Sequence, residues 1–97
     1  MQRIVSEMEA HMRECGGAYP AWYAGIASRP QGRLFVDHGV RKTLDSYIVK
    51  DCGSDTLARQ VEQYFLERGC KGGPGGGDNL TRYVYVYRVA AHTSESN

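Results

Sequence analysis

The segment 82–90, with the sequence RYVYVYRVA, constrains the fold of this chain more than any other stretch. Tyrosine and valine alternate along it, and both residue types favour extended backbone. Because successive side chains of a strand point to opposite faces, the tyrosines share one face and the valines share the other. The members of the two faces are Tyr83, Tyr85 and Tyr87 on one side and Val84, Val86 and Arg88 on the other. The pattern predicts a strand, and therefore a sheet that contains it.

The other elements are predicted from hydrophobic periodicity and from the residues that begin and end helices. They are a helix over 2–15, a strand over 21–27, a helix over 30–38 capped by Ser28, a strand over 46–51, and a helix over 56–68 capped by Ser54 or Asp55. Helices and strands therefore alternate along the chain. This order predicts a fold that mixes helices and strands, with a small three-stranded sheet packed against about three helices.

Length and charge limit the classes of protein to consider. The 97 residues suffice for a single domain, 1–97, with an N-terminal helix in 1–16 and a polar tail over 92–97 that we expect to be frayed. The formal net charge of +1 excludes a strongly basic nucleic-acid clamp as a global property, although a local basic patch stays open. No apolar run approaches the roughly 18 residues that a membrane span needs, so we expect no membrane partner.

The cysteines are a guide to the cellular compartment of the protein. Cys15, Cys52 and Cys70 are odd in number, widely spaced and without a Cys-x-x-Cys pair, which predicts reduced thiols. Together with an N-terminal segment that lacks the apolar stretch of a signal peptide, they predict a cytoplasmic protein. A zinc site built from Cys52, Cys70 and His38 is not favoured, because the spacing typical of zinc ligands is absent.

A second set of residues carries the functional prediction. Tyr23-Ala24-Gly25 lies in the first predicted strand, Arg33 follows eight residues after Gly25, and His38 comes next. Ala58 and Glu62 then lie one turn apart on the third predicted helix, and Asn79 follows. This order of residues resembles the GIY-YIG endonuclease family, over about residues 19–80.

The resemblance implies a role for each matching residue. Tyr23 and Gly25 match the family's Tyr-Ile/Val-Gly motif, Arg33 its catalytic arginine, and Glu62 its metal-binding glutamate. His38 lies where some members have a histidine, and Asn79 is a looser match. The implied fold is α+β, with a small three-stranded, mainly antiparallel sheet packed against about three helices. The implied activity is Mg²⁺-dependent hydrolysis of phosphodiester bonds in DNA.

The residue chemistry is compatible with that activity. A carboxylate such as Glu62 can hold Mg²⁺, and a guanidinium such as Arg33 can bind phosphate oxygens with two hydrogen bonds. The resemblance suggests Tyr23 and a second tyrosine as the groups that activate water, and His38 is an alternative general base because its ordinary pKa is near neutral.

The family's first motif is not in its usual place. That motif is a strand ending in tyrosine and joined by a hairpin to the second motif, but Gly17-Ala18-Tyr19 ends only four residues before Tyr23. A hairpin between two strands does not fit into that interval. Strand 82–90 is the candidate substitute, which would bring Tyr83, Tyr85 or Tyr87 near the site.

A nucleic-acid surface is the next prediction. Its candidate residues are Arg29, Asn79, Arg82, Tyr85 and Arg88. Tyrosines on a sheet can stack on bases, although burial under a helix is the commoner fate of such a face. The glycine-rich stretch 69–78 is interpreted as a flexible lid or spacer, because it lacks the residues of a phosphate-binding loop.

An alternative function stays open on the same residues. The near-zero net charge and the displaced first motif favour a catalytically inactive relative, which acts as a nucleic-acid or protein interaction module. If strand 82–90 lies at a sheet edge, it could pair with its own copy and form a homodimer. Tyr23 would then be an ordinary core aromatic, and Glu62 would form a helical ion pair with Arg59.

Overall fold

The computed structural model describes residues 1–73 and 80–94 of the chain. Two α-helices, a π-helix and three strands alternate in the predicted order, and a short 3-10 turn (Tyr19–Ala21) precedes the first strand. The elements are α1 (Gln2–Cys15), β1 (Trp22–Ala27), the π-helix (Gly32–Asp37), β2 (Tyr47–Asp51), α2 (Asp55–Glu67) and β3 (Tyr83–Arg88). The predicted α+β class, with its three helices and antiparallel three-stranded sheet, is confirmed.

Strand β3 occupies the centre of the sheet. The strand order is β1-β3-β2, and both neighbours run antiparallel to β3. In this register Tyr85 lies between Gly25 of β1 and Val49 of β2. Pairing of segment 82–90 with a second copy was conditional on a free edge, and that condition is not met, because β1 and β2 already use the hydrogen-bonding groups of both edges of β3. The alternation of residue types along a strand predicts which side chains share a face. It does not predict whether the strand lies at the centre or at the edge of the sheet.

The two faces of β3 pack against different layers. Val84 and Val86 are fully buried in a core formed with side chains of α1 and α2, such as Met8 and Phe65. On the opposite face, Tyr85 and Tyr87 form a second core with the segment that connects β1 to β2. That second core also contains Ala27, Leu34 and Val40. Tyr85 and Tyr87 are buried, so their rings are not free to stack on bases, whereas Tyr83 is half-buried.

The helix starts differ from each other in their capping. Ser54 caps α2 as predicted, because its hydroxyl accepts a hydrogen bond from the backbone N–H of Leu57 at 3.2 Å. Ser28 does not cap the next helical segment, which begins after Gln31 without a side-chain cap. That segment is a π-helix in which the N–H of His38 bonds to the carbonyl of Arg33, five residues earlier, at 2.8 Å. Such wide turns are often found at functional sites.

The C-terminal residues fold back onto the tyrosine face. The backbone N–H of Ser94 donates to the carbonyl of His38 at 2.8 Å, and that of Thr93 to the carbonyl of Ala90 at 3.1 Å. Of the tail expected to be frayed, residues 92–94 thus make hydrogen bonds with the domain, and residues 95–97 lie outside the described part. No helix within residues 1–73 and 80–94 combines the length and apolar character that crossing a membrane requires.

Candidate active site

A cleft of about 530 Å³ opens where β1, the π-helix and α2 meet the beginning of β3. Each of these elements contributes a functional side chain to its wall. Tyr23 comes from β1, Arg33 from the π-helix, Glu62 from α2 and Tyr85 from β3. Three residues that the sequence singled out at widely separated positions thus face one space, and a tyrosine from the C-terminal strand joins them.

Tyr85 reaches the cleft because Gly25 leaves room for it. The two residues are direct partners in the antiparallel register. A Cβ atom at position 25 would lie 2.5 Å from both Cζ and Oη of Tyr85, which is closer than such atoms approach in proteins. The glycine inside the first predicted strand therefore marks the close approach of another chain segment, as glycines in strands often do.

A chain of hydrogen bonds runs from the cleft into the protein. The Arg33 guanidinium lines the cleft beside Tyr85 and acts to lower the pKa of its hydroxyl. The Tyr85 hydroxyl lies 2.9 Å from Nε2 of His38, and Nδ1 of His38 lies 2.7 Å from the carbonyl oxygen of Ser94. Since a carbonyl can only accept, Nδ1 carries a proton and donates it to Ser94. In a neutral ring Nε2 then accepts, so Tyr85 donates to His38.

The pKa directions agree with this assignment. Burial lowers the pKa of His38 and the nearby Arg33 charge lowers it further, against the hydrogen bond to Ser94, which raises it. Since the net direction is downward, the neutral ring is favoured at pH 7. Burial also raises the pKa of Tyr85 to about 12, although the nearby Arg33 guanidinium acts in the opposite direction. The resting site therefore holds a neutral phenol beside a neutral imidazole.

Glu62 is the buried carboxyl group of the cleft. Its residue is only 5% exposed, and burial raises its pKa to about 7, with Arg59 opposing the shift. Arg59 pairs with Asp55 at 3.9 Å, so the helical ion pair is made with that residue. Desolvation of the carboxylate leaves its charge poorly compensated, and a divalent cation would compensate it.

A Mg²⁺ ion usually keeps several waters and takes only one or two protein carboxylates. Glu62 can supply the carboxylate, and the open side of the cleft can admit the waters. The residues present therefore fit such an ion. Within the described ranges no cluster of three or more histidine, cysteine or acidic residues exists, and all three cysteines are free thiols.

Arg33 already has partners in the protein. Its Nη1 lies 3.2 Å from a carboxylate oxygen of Asp37, one turn further along the π-helix. Its side chain is still 41% exposed and lines the cleft, so a phosphate can reach it from outside. The four-residue spacing of Arg33 and Asp37 is a signal in the sequence that could have revealed this pair.

The remaining predicted residues lie at different places. Arg29 lines the mouth of the cleft. Arg82 forms an ion pair with Asp51 at the end of β2, and Arg88 donates to the carbonyl of Cys15 at 2.8 Å, and neither lines the cleft. The ring of Tyr85 is buried, which excludes base stacking on it and leaves its hydroxyl as the functional group. Asn79 lies outside the described residues.

The edge of β1 beside the cleft is completed by the start of the glycine-rich stretch. The backbone N–H of Lys71 donates to the carbonyl of Trp22 at 2.8 Å, and its carbonyl accepts from Ala24 at 2.9 Å. Gly73 follows and lines the cleft, and the rest of the stretch, 74–78, is outside the described part. The role of Ser94 was missed by sequence reasoning, because a backbone carbonyl leaves no signal in the residue types. No family model, curated protein or solved structure matches this chain.

Proposed function

We propose that this chain is a metal-dependent DNA nuclease with a rearranged GIY-YIG-like fold. The observation that supports the proposal is the common cleft of Tyr23, Arg33, Glu62 and Tyr85. Phosphodiester hydrolysis needs an activated water, stabilisation of charge on the phosphoryl oxygens and help for the leaving oxygen. The cleft offers a group suited to each of these tasks.

The position of β3 supports the rearranged fold. The resemblance expects a strand that ends in tyrosine and pairs antiparallel with the strand carrying Tyr23. In this chain β3 pairs with β1 in that way, although it follows all the other elements in the sequence. Tyr85 is thus the second tyrosine of the site, and it comes from the C-terminal end of the domain.

Arg33 would bind the phosphate. A guanidinium presents several N–H donors in one plane and can hold two phosphoryl oxygens at once. As charge develops on these oxygens during the attack of water, the hydrogen bonds become stronger and lower the barrier. Asp37 keeps the guanidinium oriented, because it holds one of its terminal nitrogens.

Tyr85 and His38 would activate the water together. The phenol of Tyr85 is too weak an acid to be ionised at rest. As the water attacks phosphorus, Tyr85 Oη accepts its proton while the phenolic proton moves to Nε2 of His38, 2.9 Å away. Tyr23, whose ring stacks on Tyr87 with 5.2 Å between centroids, contributes a second hydroxyl that orients the water.

Glu62 would hold Mg²⁺ in this cleft. When bound, the ion supplies positive charge for the phosphoryl and leaving oxygens. Its presence also compensates the desolvated Glu62 carboxylate, so ion binding and ionisation of this residue favour each other.

The test is nicking of supercoiled plasmid in the presence of Mg²⁺. We expect Glu62→Ala and Arg33→Ala to abolish nicking. The matched controls Glu67→Ala on α2 and Arg13→Ala on α1, which change exposed positions away from the cleft, should retain it. Absence of cleavage of plasmid, linear duplex and single-stranded DNA with either Mg²⁺ or Mn²⁺ would contradict the proposal.

One observation favours a second candidate, a non-catalytic interaction module on the same scaffold. Arg33, Arg82 and Arg88 are each bound by groups of the protein itself, so fewer free cations face a DNA partner. This candidate predicts that the protein binds DNA weakly. It also predicts that the protein forms stable complexes with other protein chains, which light scattering detects. Tight DNA binding whose affinity falls steeply with salt would count against it.

A further inference from the structure

Residues 90–94 form a strap that follows the end of β3 and contacts His38 and Tyr87 through Ser94. A turn closed by Thr93 begins it, since the Thr93 side chain accepts from the N–H of Ala90 at 2.9 Å. The imidazole of His92 contacts the carboxylate of Asp45 on the opposite side of the strap. Ser94 then lies against His38, which is buried.

Ser94 contacts His38 through two backbone groups. Its N–H donates to the His38 carbonyl at 2.8 Å, and its carbonyl oxygen lies 2.7 Å from Nδ1 of the ring. The hydroxyl of Tyr87 approaches the same carbonyl oxygen at 3.2 Å. His38 is thus held through both its backbone carbonyl and its imidazole ring.

This geometry permits only one tautomer of the neutral ring. Tyr87 Oη also lies 3.2 Å from Nδ1, so one alternative is that Tyr87 donates to an unprotonated Nδ1. In that case the Nδ1 lone pair would face the Ser94 oxygen at 2.7 Å, and two acceptors would repel each other at that distance. With a proton on Nδ1 every contact is satisfied, and Nε2 is left as the acceptor for Tyr85.

We propose that the backbone carbonyl of Ser94 is a positioning group that holds His38 in the Nδ1–H tautomer. The strap thereby makes Nε2 an acceptor for the Tyr85 hydroxyl. The consequence for activity rests on the proposed nuclease function, whereas the tautomer itself does not. In water, a neutral histidine carries its proton on Nδ1 less often than on Nε2. The Nδ1–H tautomer of His38 therefore requires a partner such as the Ser94 carbonyl.

The experiment measures the tautomer by long-range ¹H–¹⁵N correlation NMR of uniformly labelled protein at a pH where His38 is neutral. We expect the intact chain to show a protonated Nδ1 and an unprotonated Nε2. A chain that ends at Glu95 keeps the Ser94 carbonyl as an amide and should give the same spectrum. A chain that ends at Thr93 loses that carbonyl and should shift toward the Nε2–H form.

Plasmid nicking by the same three proteins supplies the second readout. The chain ending at Thr93 should cleave at least about tenfold more slowly, and the chain ending at Glu95 should match the intact protein. A protonated Nε2 in the intact chain overturns the proposal without any variant, even if the shortest chain fails to fold. An unchanged tautomer in the folded chain ending at Thr93 also overturns it. The expected tautomers without any cleavage would support the role of Ser94 and contradict the nuclease function instead.

Discussion

Gly25 on β1 faces Tyr85 on β3, and the tyrosine ring fills the space that a side chain at position 25 would need. This relationship places the Tyr85 hydroxyl within 2.9 Å of His38 Nε2 and on the wall of the cleft. The cleft therefore depends on a residue without a side chain. It is the absence of a Cβ, and not a polar group, that Gly25 contributes to the site.

Gly25→Ala should displace Tyr85 and destabilise the domain. The added methyl group would overlap with Cζ and Oη, and overpacking of this kind costs about 1–3 kcal/mol of the free energy of unfolding. Denaturant titration measures the change. Gly32→Ala is the matched control, because no atom lies within 4 Å of the added Cβ there, and it should be neutral or slightly stabilising. Equal stability of the two variants would contradict the packing argument.

Tyr85→Phe should reduce both activity and stability. The variant keeps the ring but removes the hydroxyl that donates to His38, and an unsatisfied buried Nε2 costs about 1–3 kcal/mol. Loss of the general base should lower the nicking rate about 10²–10⁴-fold. Tyr83→Phe, at a half-buried position of the same strand, is the control and should leave nicking unchanged. Full activity of Tyr85→Phe would assign the proton transfer to another group.

The stability of the domain without divalent metal should fall as the pH rises from about 4.5 to about 7. Burial raises the pKa of Glu62 from its ordinary 4.5 to about 7, so the folded state binds a proton there more tightly than the unfolded state. The stabilising contribution of the protonated carboxyl is complete below pH 4.5 and is lost through pH 7.

Glu62→Gln isolates this contribution. Since water in the open cleft screens part of the cost, the variant should be more stable than the parent by about 1–3 kcal/mol at pH 8 and similar to it at pH 4. Glu67→Gln, on the exposed side of the same helix, is the control and should follow the parent at both values. Denaturation in EDTA at the two pH values is the measurement, and parallel curves for parent and Glu62→Gln would show that the ionised carboxylate carries no penalty.

Mg²⁺ should stabilise the parent protein at pH 8. An ion that binds only the folded state raises the midpoint of thermal unfolding, and a concentration of 100 times its dissociation constant corresponds to about 2.7 kcal/mol. The shift should vanish in Glu62→Gln, whose amide is a much weaker ligand. A shift of the same size in both proteins would place the ion elsewhere.

Two serines should differ in their effect on stability. Ser54→Ala removes the hydroxyl that caps α2 and should cost about 0.5–2 kcal/mol. Ser28→Ala should change stability by less than about 0.5 kcal/mol, since Ser28 is exposed and caps no helix. Chemical denaturation of both variants tests the difference, and a larger loss for Ser28→Ala would reverse the assignment of the caps.

Local patterns in the sequence were sufficient for the elements of this fold. The alternation of Tyr and Val predicted β3, the apolar stripe and Ser54 predicted α2, and the eight-residue interval between Gly25 and Arg33 pointed to two residues of the cleft. These predictions succeeded because periodicity, capping and short spacings depend on neighbours in the chain. The π-helix was predicted as an ordinary helix, because its wider turn arises from packing and not from residue preference.

The tertiary structure alone decided where these elements meet. It placed β3 between β1 and β2, which removed the free edge, and it buried the tyrosine face under the segment that follows β1. It also brought Tyr85 to Nε2 of His38 and Ser94 to Nδ1 of the same ring. In addition, it buried the side chain of Glu62. The order of strands and the environment of a side chain depend on contacts between residues far apart in the chain, and no local periodicity encodes those contacts.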